Sequence, residues 1–364
     1  MTGSRQVAVA RPGPQGTEAF GAASRVLIVD DSLVARSIIQ RIVENLPGFE
    51  IAASMASAAA ALAYLADHPV DIIVLDIEMP DRSGLDALPD LLAASGHARV
   101  LVLSSHCGDG APVQIKALAL GASDTLAKPD RQFYPQDFVT AFHARLRLLA
   151  EARQTRREPV PVVLARPARA PCPLRCIAIG SSTGGIPAIH ELLTALDPRI
   201  SAPILITQHL PTEFMPHFAR HIDDLGLRPA RLATHGGALE RGHIYCAPGD
   251  AHLGLECRDG TVRMALLRDW PNTVYKPSVD PMLDAVARCF GASGAGIMLS
   301  GMGSDGITGA HSLAAQGAPI YVQDMQSSTI WGMPGAVARA GLASVILPPA
   351  GIARFMADCW LEDA

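Results

Sequence analysis

Short, wholly apolar runs that stop at a charged or glycine-rich cluster constrain this chain more than any other feature. Val26-Leu27-Ile28-Val29 ends in Asp30-Asp31, Ile72-Ile73-Val74-Leu75 ends in Asp76, and Cys176-Ile177-Ala178-Ile179 runs into Gly180-Ser181-Ser182-Thr183-Gly184-Gly185. Farther on, Ile204-Leu205-Ile206 leads through Thr207-Gln208 to His209, and residues 296–300 give way to Gly301-Met302-Gly303-Ser304-Asp305-Gly306. Such runs lack the polar–apolar alternation of a half-exposed strand, so they fit strands buried on both faces. Helix-compatible spacing separates them, over 32–44, 55–66, 85–95, 111–120 and 135–150, then 186–196, 212–225, 279–290 and 306–316. The alternation predicts two α/β units, each a mostly parallel sheet with helices on both faces. Asp259-Gly260, between apolar segments 253–256 and 262–266, adds an antiparallel hairpin to the second unit.

A chain of 364 residues has enough length for two cores. Residues 1–24 read as a disordered tail, 25–150 as the first domain, 151–173 as an Arg/Pro-rich linker and 174–364 as the second domain. The tail carries Arg5 and Arg11 but no compact apolar stretch of a signal peptide. With 49% hydrophobic and 18% charged residues the chain is globular, and a net charge of −5 argues against nucleic-acid binding. No apolar run reaches membrane-spanning length. The seven cysteines form no C-x-x-C pair, which predicts reduced, mostly buried thiols and a cytoplasmic protein.

In the first domain the chemistry sits at strand ends. Asp30, Asp31 and Asp76 would converge on the crevice at the carboxyl edge of the sheet. Carboxylates gathered in one place repel unless a cation neutralises them, and hard oxygen ligands suit Mg²⁺. Lys128, at the end of a later strand, can pair with a phosphoryl oxygen, and Ser104 can donate a hydrogen bond. Taken alone, any one aspartate here fits a helix cap or turn residue better than a ligand. Asp30-Asp31, Asp76 in Asp-Ile-Glu-Met-Pro, Ser104 and Lys128-Pro129 together resemble a response-regulator receiver domain across residues 25–150. The resemblance implies a five-stranded, flavodoxin-like sheet. It implies that Asp76 accepts a phosphoryl group from a histidine kinase, that Asp30, Asp31 and Asp76 hold Mg²⁺, and that Lys128 and Ser104 contact the phosphoryl group. One departure is Thr125, three positions before the lysine, where the family usually has an aromatic switch residue.

In the second domain, Gly180-Ser181-Ser182-Thr183-Gly184 fits G-x-S-x-G between a strand and a helix. By itself the stretch is compatible with a serine nucleophile, an anion-binding turn or a plain tight turn. A nucleophilic serine needs a base, and the base an orienting partner. His209 and Asp305 each follow a buried strand, so both would share a crevice with Ser182. Singly, His209 fits a turn and Asp305 fits a helix N-cap; jointly they complete a set of reacting groups. Backbone N–H groups near Thr183, Gly184, Gly185 and Met302 are candidates to bind an oxyanion. No histidine spacing points to a metal site.

These motifs, with Thr207-Gln208-His209-Leu210-Pro211, Ala247-Pro248-Gly249-Asp250, Lys276-Pro277-Ser278-Val279-Asp280 and Gly332-Met333-Pro334, resemble the catalytic domain of the chemotaxis protein-glutamate methylesterases. The receiver in front extends the resemblance to the whole response-regulator methylesterase family. It implies hydrolysis of glutamyl methyl esters on chemoreceptor cytoplasmic helices, and deamidation of glutamine, by Ser182, His209 and Asp305 with no cofactor. It also implies that an unphosphorylated receiver blocks the cleft and that phospho-Asp76 relieves the block. Lys276 stands where many relatives have arginine, and lysine lacks the arginine fork. The chain is expected to act as a monomer, with chemoreceptors and a histidine kinase as partners. Two other classes compete: a non-catalytic receiver-linked adaptor, and a dinucleotide-binding regulator using the 180–185 loop. The second lacks an acidic residue at a later strand end, since Asp197 falls in a turn.

Overall fold

The computed structural model describes residues 23–105, 110–129, 134–154, 172–271 and 273–361. The predicted tail lies outside them except for its last two residues, and most of the predicted linker also lies outside.

In the first domain, strands β1 (Ser24–Val29), β2 (Phe49–Met55), β3 (Ile72–Asp76), β4 (Arg99–Ser105) and β5 (Asp124–Lys128) alternate with helices α1 (Leu33–Glu44), α2 (Ala58–Leu65), α3 (Gly84–Ser95), α4 (Gly110–Ala119) and α5 (Gln136–Gln154). The sheet order is β2-β1-β3-β4-β5 with all pairs parallel, the flavodoxin-like arrangement. Serines start three of the helices: Ser32, Ser57 and Ser83 accept the N–H groups of Ala35, Ala60 and Asp86. Helix α3 keeps Pro89 in its interior, and its turns hold Leu88 and Leu91 in the core. Apolar residues fill both faces of the sheet, with Leu27, Ile73 and Leu75 on one side and Ile28, Val74 and Phe142 on the other.

The second domain comprises β6 (Cys176–Ser181), α6 (Gly185–Ala195), β7 (Ile204–Gln208), α7 (Met215–Asp223), β8 (Ala230–Leu232), β9 (Ile244–Cys246), β10 (His252–Arg258), β11 (Thr261–Leu267), α8 (Asp280–Phe290), β12 (Gly294–Met298), α9 (Ile307–Ala315), β13 (Ile320–Gln323), α10 (Met333–Arg339), β14 (Val345–Leu347) and α11 (Pro349–Trp360). Seven strands form a parallel sheet in the order β14-β13-β12-β6-β7-β9-β8. The expected hairpin is the β10–β11 pair, turning at Asp259 (φ 49°) and Gly260 (φ 74°) as a left-handed turn requires. Helices α10 and α11 escape the sequence pattern. Both begin at proline-bearing first turns, which look like breaks in sequence but are tolerated at a helix start.

The expectation that all thiols are reduced does not hold. Cys257 of β10 and Cys289 of α8 form a disulfide, with Cα atoms 5.8 Å apart. Packing of α8 across β10 brings them together over a separation of 32 residues, which local cysteine spacing cannot register. Cys172, Cys176, Cys246 and Cys359 take part in no disulfide. No helix among the described residues is long and apolar enough to cross a membrane.

The domains touch through α4. Ile115 and Leu118 of α4 belong to the same apolar cluster as Ile186, Ile189 and Phe218 of the second domain, and Arg99 donates to the Ser328 carbonyl.

The start of α3 presses on the end of β3. Gly84 N–H bonds to Ile77 O at 2.8 Å, and a Cβ at Gly84 would overlap the backbone oxygen of Asp76. Gly84→Ala is expected to destabilise the first domain by about 1–3 kcal/mol, read as a lower urea midpoint. An unchanged midpoint would show that this contact is not tight.

Candidate functional site

Sheet order decides which side chains meet. In the first domain β1 and β3 are neighbours, so Asp30, Asp31 and Asp76 gather at their ends. One oxygen from each carboxylate lies within 4.8 Å of the others. β5 delivers Lys128, whose Nζ lies 2.6 Å from Asp30 Oδ2 and 2.8 Å from Asp76 Oδ1. The second contact lacks hydrogen-bond geometry, and Oδ1 of Asp76 has no hydrogen-bond partner. Burial raises the Asp76 carboxyl to about 6, more than the attraction of Lys128 recovers, with Asp30 adding to the rise. Burial works against the charge on Lys128, but Asp76 and Asp30 outweigh it and keep its pKa above the usual lysine value. One ammonium cannot balance three carboxylates, so the cluster carries surplus negative charge.

Ser104 is buried at the end of β4 beside this cluster. Its main partner is not legible in the sequence. Gln114 of α4, 6% exposed, donates from Nε2 to Ser104 Oγ at 2.7 Å and accepts from Thr125 Oγ1 at 3.0 Å. Thr125 therefore sits not as an isolated substitute for an aromatic residue but at the end of a buried polar chain. That chain joins β4 and β5 to α4.

In the second domain β6 lies between β12 and β7, so the loops bearing Ser182, Asp305 and His209 leave three adjacent strands. The backbone of Ser182 is tied on both sides: its N–H bonds to Ser300 O at 2.9 Å, and its carbonyl accepts from Gly185 N–H at 2.8 Å. Gln208 clamps the same turn. Its Nε2 donates to Ser182 O at 2.8 Å and its Oε1 accepts from Ser181 Oγ at 2.7 Å. Gly184 (φ 75°) caps α6 without a side chain. A Cβ at Gly301 would lie 2.9 Å from Ser182 Cβ, so glycine lets the 301–306 loop close on the serine.

His209 Nε2 bonds to Asp305 Oδ2 at 2.7 Å. The other ring nitrogen, Nδ1, is buried without a hydrogen-bond partner. The ring stacks on Tyr275, with centroids 4.5 Å apart and planes 6° from parallel. Asp305 caps no helix: its Oδ1 accepts from Ser278 Oγ at 2.6 Å and its Oδ2 also accepts from Val279 N–H at 2.7 Å. Burial alone would raise this carboxyl, but the hydrogen bond and charge of His209, with the donors on Ser278 and Val279, hold it below the ordinary aspartate value. Sequence pattern does not mark Gln208, Tyr275 and Ser278 as site residues. Ser278 lies inside the Lys276–Asp280 motif, but its contact with Asp305 spans 27 positions. Asp197 pairs with Arg199 in a turn, away from this crevice, as the sequence indicated.

A cavity of about 620 Å³ lies between the domains. Gln114, Thr125 and Arg145 line it from the first domain, and Thr183, His209 and Phe214 from the second.

The fold and its two strand-edge clusters define a class: a receiver domain joined to an α/β domain bearing a Ser-His-Asp constellation. The family profile described as response regulator receiver domain matches residues 26–137, and that described as CheB methylesterase matches residues 177–356. A Caulobacter vibrioides protein named protein-glutamate methylesterase/protein-glutamine glutaminase 2 is 40% identical over 347 residues, spanning 92% of this chain and 98% of that one. A Paramagnetospirillum magneticum protein named protein-glutamate methylesterase/protein-glutamine glutaminase 1 is 36% identical, spanning 91% and 95%. A crystal structure of the Thermotoga maritima CheB methylesterase catalytic domain matches at 31% identity with a TM-score of 0.48, covering 50% of this chain and 97% of that chain. The chain belongs to the protein-glutamate methylesterase/protein-glutamine glutaminase family.

Replacing Gln208 by leucine removes the acceptor of buried Ser181 Oγ and a donor to Ser182 O. Gln208→Leu is expected to cost about 1–3 kcal/mol of stability in urea unfolding. Wild-type stability would mean that the clamp is not needed to hold the turn.

Proposed function

We propose that this protein hydrolyses glutamyl methyl esters on the cytoplasmic helices of chemoreceptors, and deamidates glutamine at such sites, under control of its receiver domain. The observation that carries this reading is His209: one ring nitrogen is bound to a buried carboxylate, and the other is buried and unpartnered at the strand end beside the Ser182 turn. Ser182 Oγ attacks the ester carbonyl while His209 Nδ1 takes its proton. Asp305 holds the tautomer with the proton on Nε2 and stabilises the imidazolium. The N–H groups of Thr183 and Met302 serve the oxyanion, whereas Gly185 N–H is spent closing the turn onto Ser182. The intermediate collapses as the imidazolium protonates departing methanol, or ammonia from glutamine. Water, deprotonated by the same nitrogen, then releases the glutamate and restores Ser182. The residues needed for these steps are all on this chain, and no cofactor is assigned to them.

In the receiver, Asp76 accepts the phosphoryl group from a histidine kinase. Asp30, Asp31 and Asp76 would hold Mg²⁺. The converging oxygens and the surplus negative charge fit a hard divalent cation, which supplies charge neutralisation for phosphoryl transfer. Lys128 pairs with a phosphoryl oxygen. The protein acts in the cytoplasm as a monomer. The α4 contact and the interdomain cavity beside His209 support a receiver that covers the catalytic cleft before phosphorylation. When Ser104 turns to the phosphoryl group, Gln114 loses its acceptor, and the tie that holds α4 in the covering position is broken.

Two measurements test this reading. In a methanol-release assay on methylated receptor, Asp305→Asn is expected to lower kcat by roughly 10⁴-fold, as loss of the correct tautomer does in such triads. Near-normal turnover would remove Asp305 from the mechanism. Gln114→Leu is expected to raise activity without a phosphoryl donor and to reduce the stimulation that acetyl phosphate gives. Unchanged basal activity and stimulation would exclude the Ser104–Gln114 tie as the coupling element.

A further inference from the structure

The segment before α8 does more than pack. Ser278 is fully buried, and its hydroxyl makes two contacts of fixed sense. It accepts the N–H of Asp280 at 3.3 Å, and it donates to Asp305 Oδ1 at 2.6 Å, because an ionised carboxylate can only accept. Behind it stands His252 of β10, 1% exposed. Its Nδ1 accepts the backbone N–H of Ser278 at 3.0 Å. A backbone N–H can only donate, so Nδ1 carries no proton and the ring is neutral with its hydrogen on Nε2. Burial and the charge of Lys276 favour that neutral form by lowering the pKa of His252. On the far side, Asp280 Oδ1 accepts from Gly309 N–H of α9 at 2.8 Å, which fastens the same segment to the helix that follows Asp305.

We infer that Ser278 and His252 are positioning residues for the reaction: His252 fixes the backbone of Ser278, and Ser278 fixes the rotation of the Asp305 carboxylate. The inference rests on the proposed roles of His209 and Asp305. A carboxylate has two equivalent oxygens and turns easily about its Cβ–Cγ bond. With Oδ1 held by Ser278, Oδ2 is left to face His209 Nε2 and Val279 N–H. The imidazole is thereby held through Nε2, which leaves its Nδ1 without another partner. Remove the Ser278 hydroxyl and Oδ1 loses its donor in a site where water is scarce, since Asp305 is only 6% exposed. The carboxylate then swings toward other donors and the His209 ring follows. Neither Ser278 nor His252 touches the ester, so substrate binding is unaffected.

The test uses the full-length protein with acetyl phosphate and methylated receptor, with wild type and Ser182→Ala as assay controls. Ser278→Ala and His252→Leu are expected to lower kcat by about 10–100-fold, the equivalent of one buried hydrogen bond, while KM stays within about twofold. Ser278→Thr keeps the hydroxyl, and His252→Asn places an amide oxygen where Nδ1 stood. Both are expected to recover most of the lost kcat. A second readout is independent of turnover: the low-field proton resonance of the His209–Asp305 hydrogen bond, assigned by its absence in Asp305→Asn. It is expected to shift or broaden in Ser278→Ala and His252→Leu, and to return in the conservative variants. Wild-type kcat in Ser278→Ala would overturn the inference. So would equal losses in all four variants with the low-field resonance unmoved, the pattern of a purely structural role. If wild type itself releases no methanol while the resonance behaves as described, the ester reading fails and the positioning stands.

Discussion

Every registered strand pair in the two large sheets is parallel, the antiparallel β10–β11 hairpin standing apart as a sheet of its own, and this one constraint organises the molecule. Parallel strands send all their carboxyl ends to the same edge, where the loops that leave them have free backbone groups and room for a ligand. Residues far apart in sequence meet there because the sheet order sets which strands are neighbours. Placing β6 between β12 and β7 brings Ser182, Asp305 and His209 to one crevice. Placing β1 beside β3, with β4 and β5 following, gathers Asp30, Asp31, Asp76, Ser104 and Lys128 at another. The domains share this logic but use it for opposite electrostatic ends. In the first, burial leaves carboxylates underpaired, which favours a cation. In the second, donors on three sides of Asp305 keep a buried carboxylate ionised next to an imidazole.

Much of this was legible because the strand ends are written plainly. A run such as Ile72–Asp76 reads as a buried strand that ends in a carboxylate, and the Asp259-Gly260 turn announces its hairpin. Reactive residues at strand ends therefore carried positional information even before any contact was known. The hidden features are those set by packing between elements. Gln114 looks like one polar residue in a mostly apolar helix, and only the approach of α4 to β4 and β5 reveals its two partners. Ser278 and His252 act across 26 to 27 positions, and the Cys257–Cys289 bond across 32. Helices α10 and α11 were obscured for a local reason, since proline in a first turn resembles a break.

The two sites are joined by a short physical path. Ser104 ends β4 next to the strand that bears Asp76, Gln114 links it to Thr125 and α4, and α4 packs its Ile115 and Leu118 into the apolar cluster of the second domain. Gln114 and His209 line the same cavity. Between the end of β4 and the cavity beside His209 there is thus one buried side chain, Gln114. An amide deprived of its acceptor in a buried setting costs about 1–3 kcal/mol.

The most direct test of the account is methanol release from methylated receptor by wild type and by Ser182→Ala, each with and without a phosphoryl donor. The account predicts release by wild type alone, increased by the donor. Release that survives Ser182→Ala would contradict it, because the nucleophile would then lie outside the strand-end crevice on which the whole reading is built.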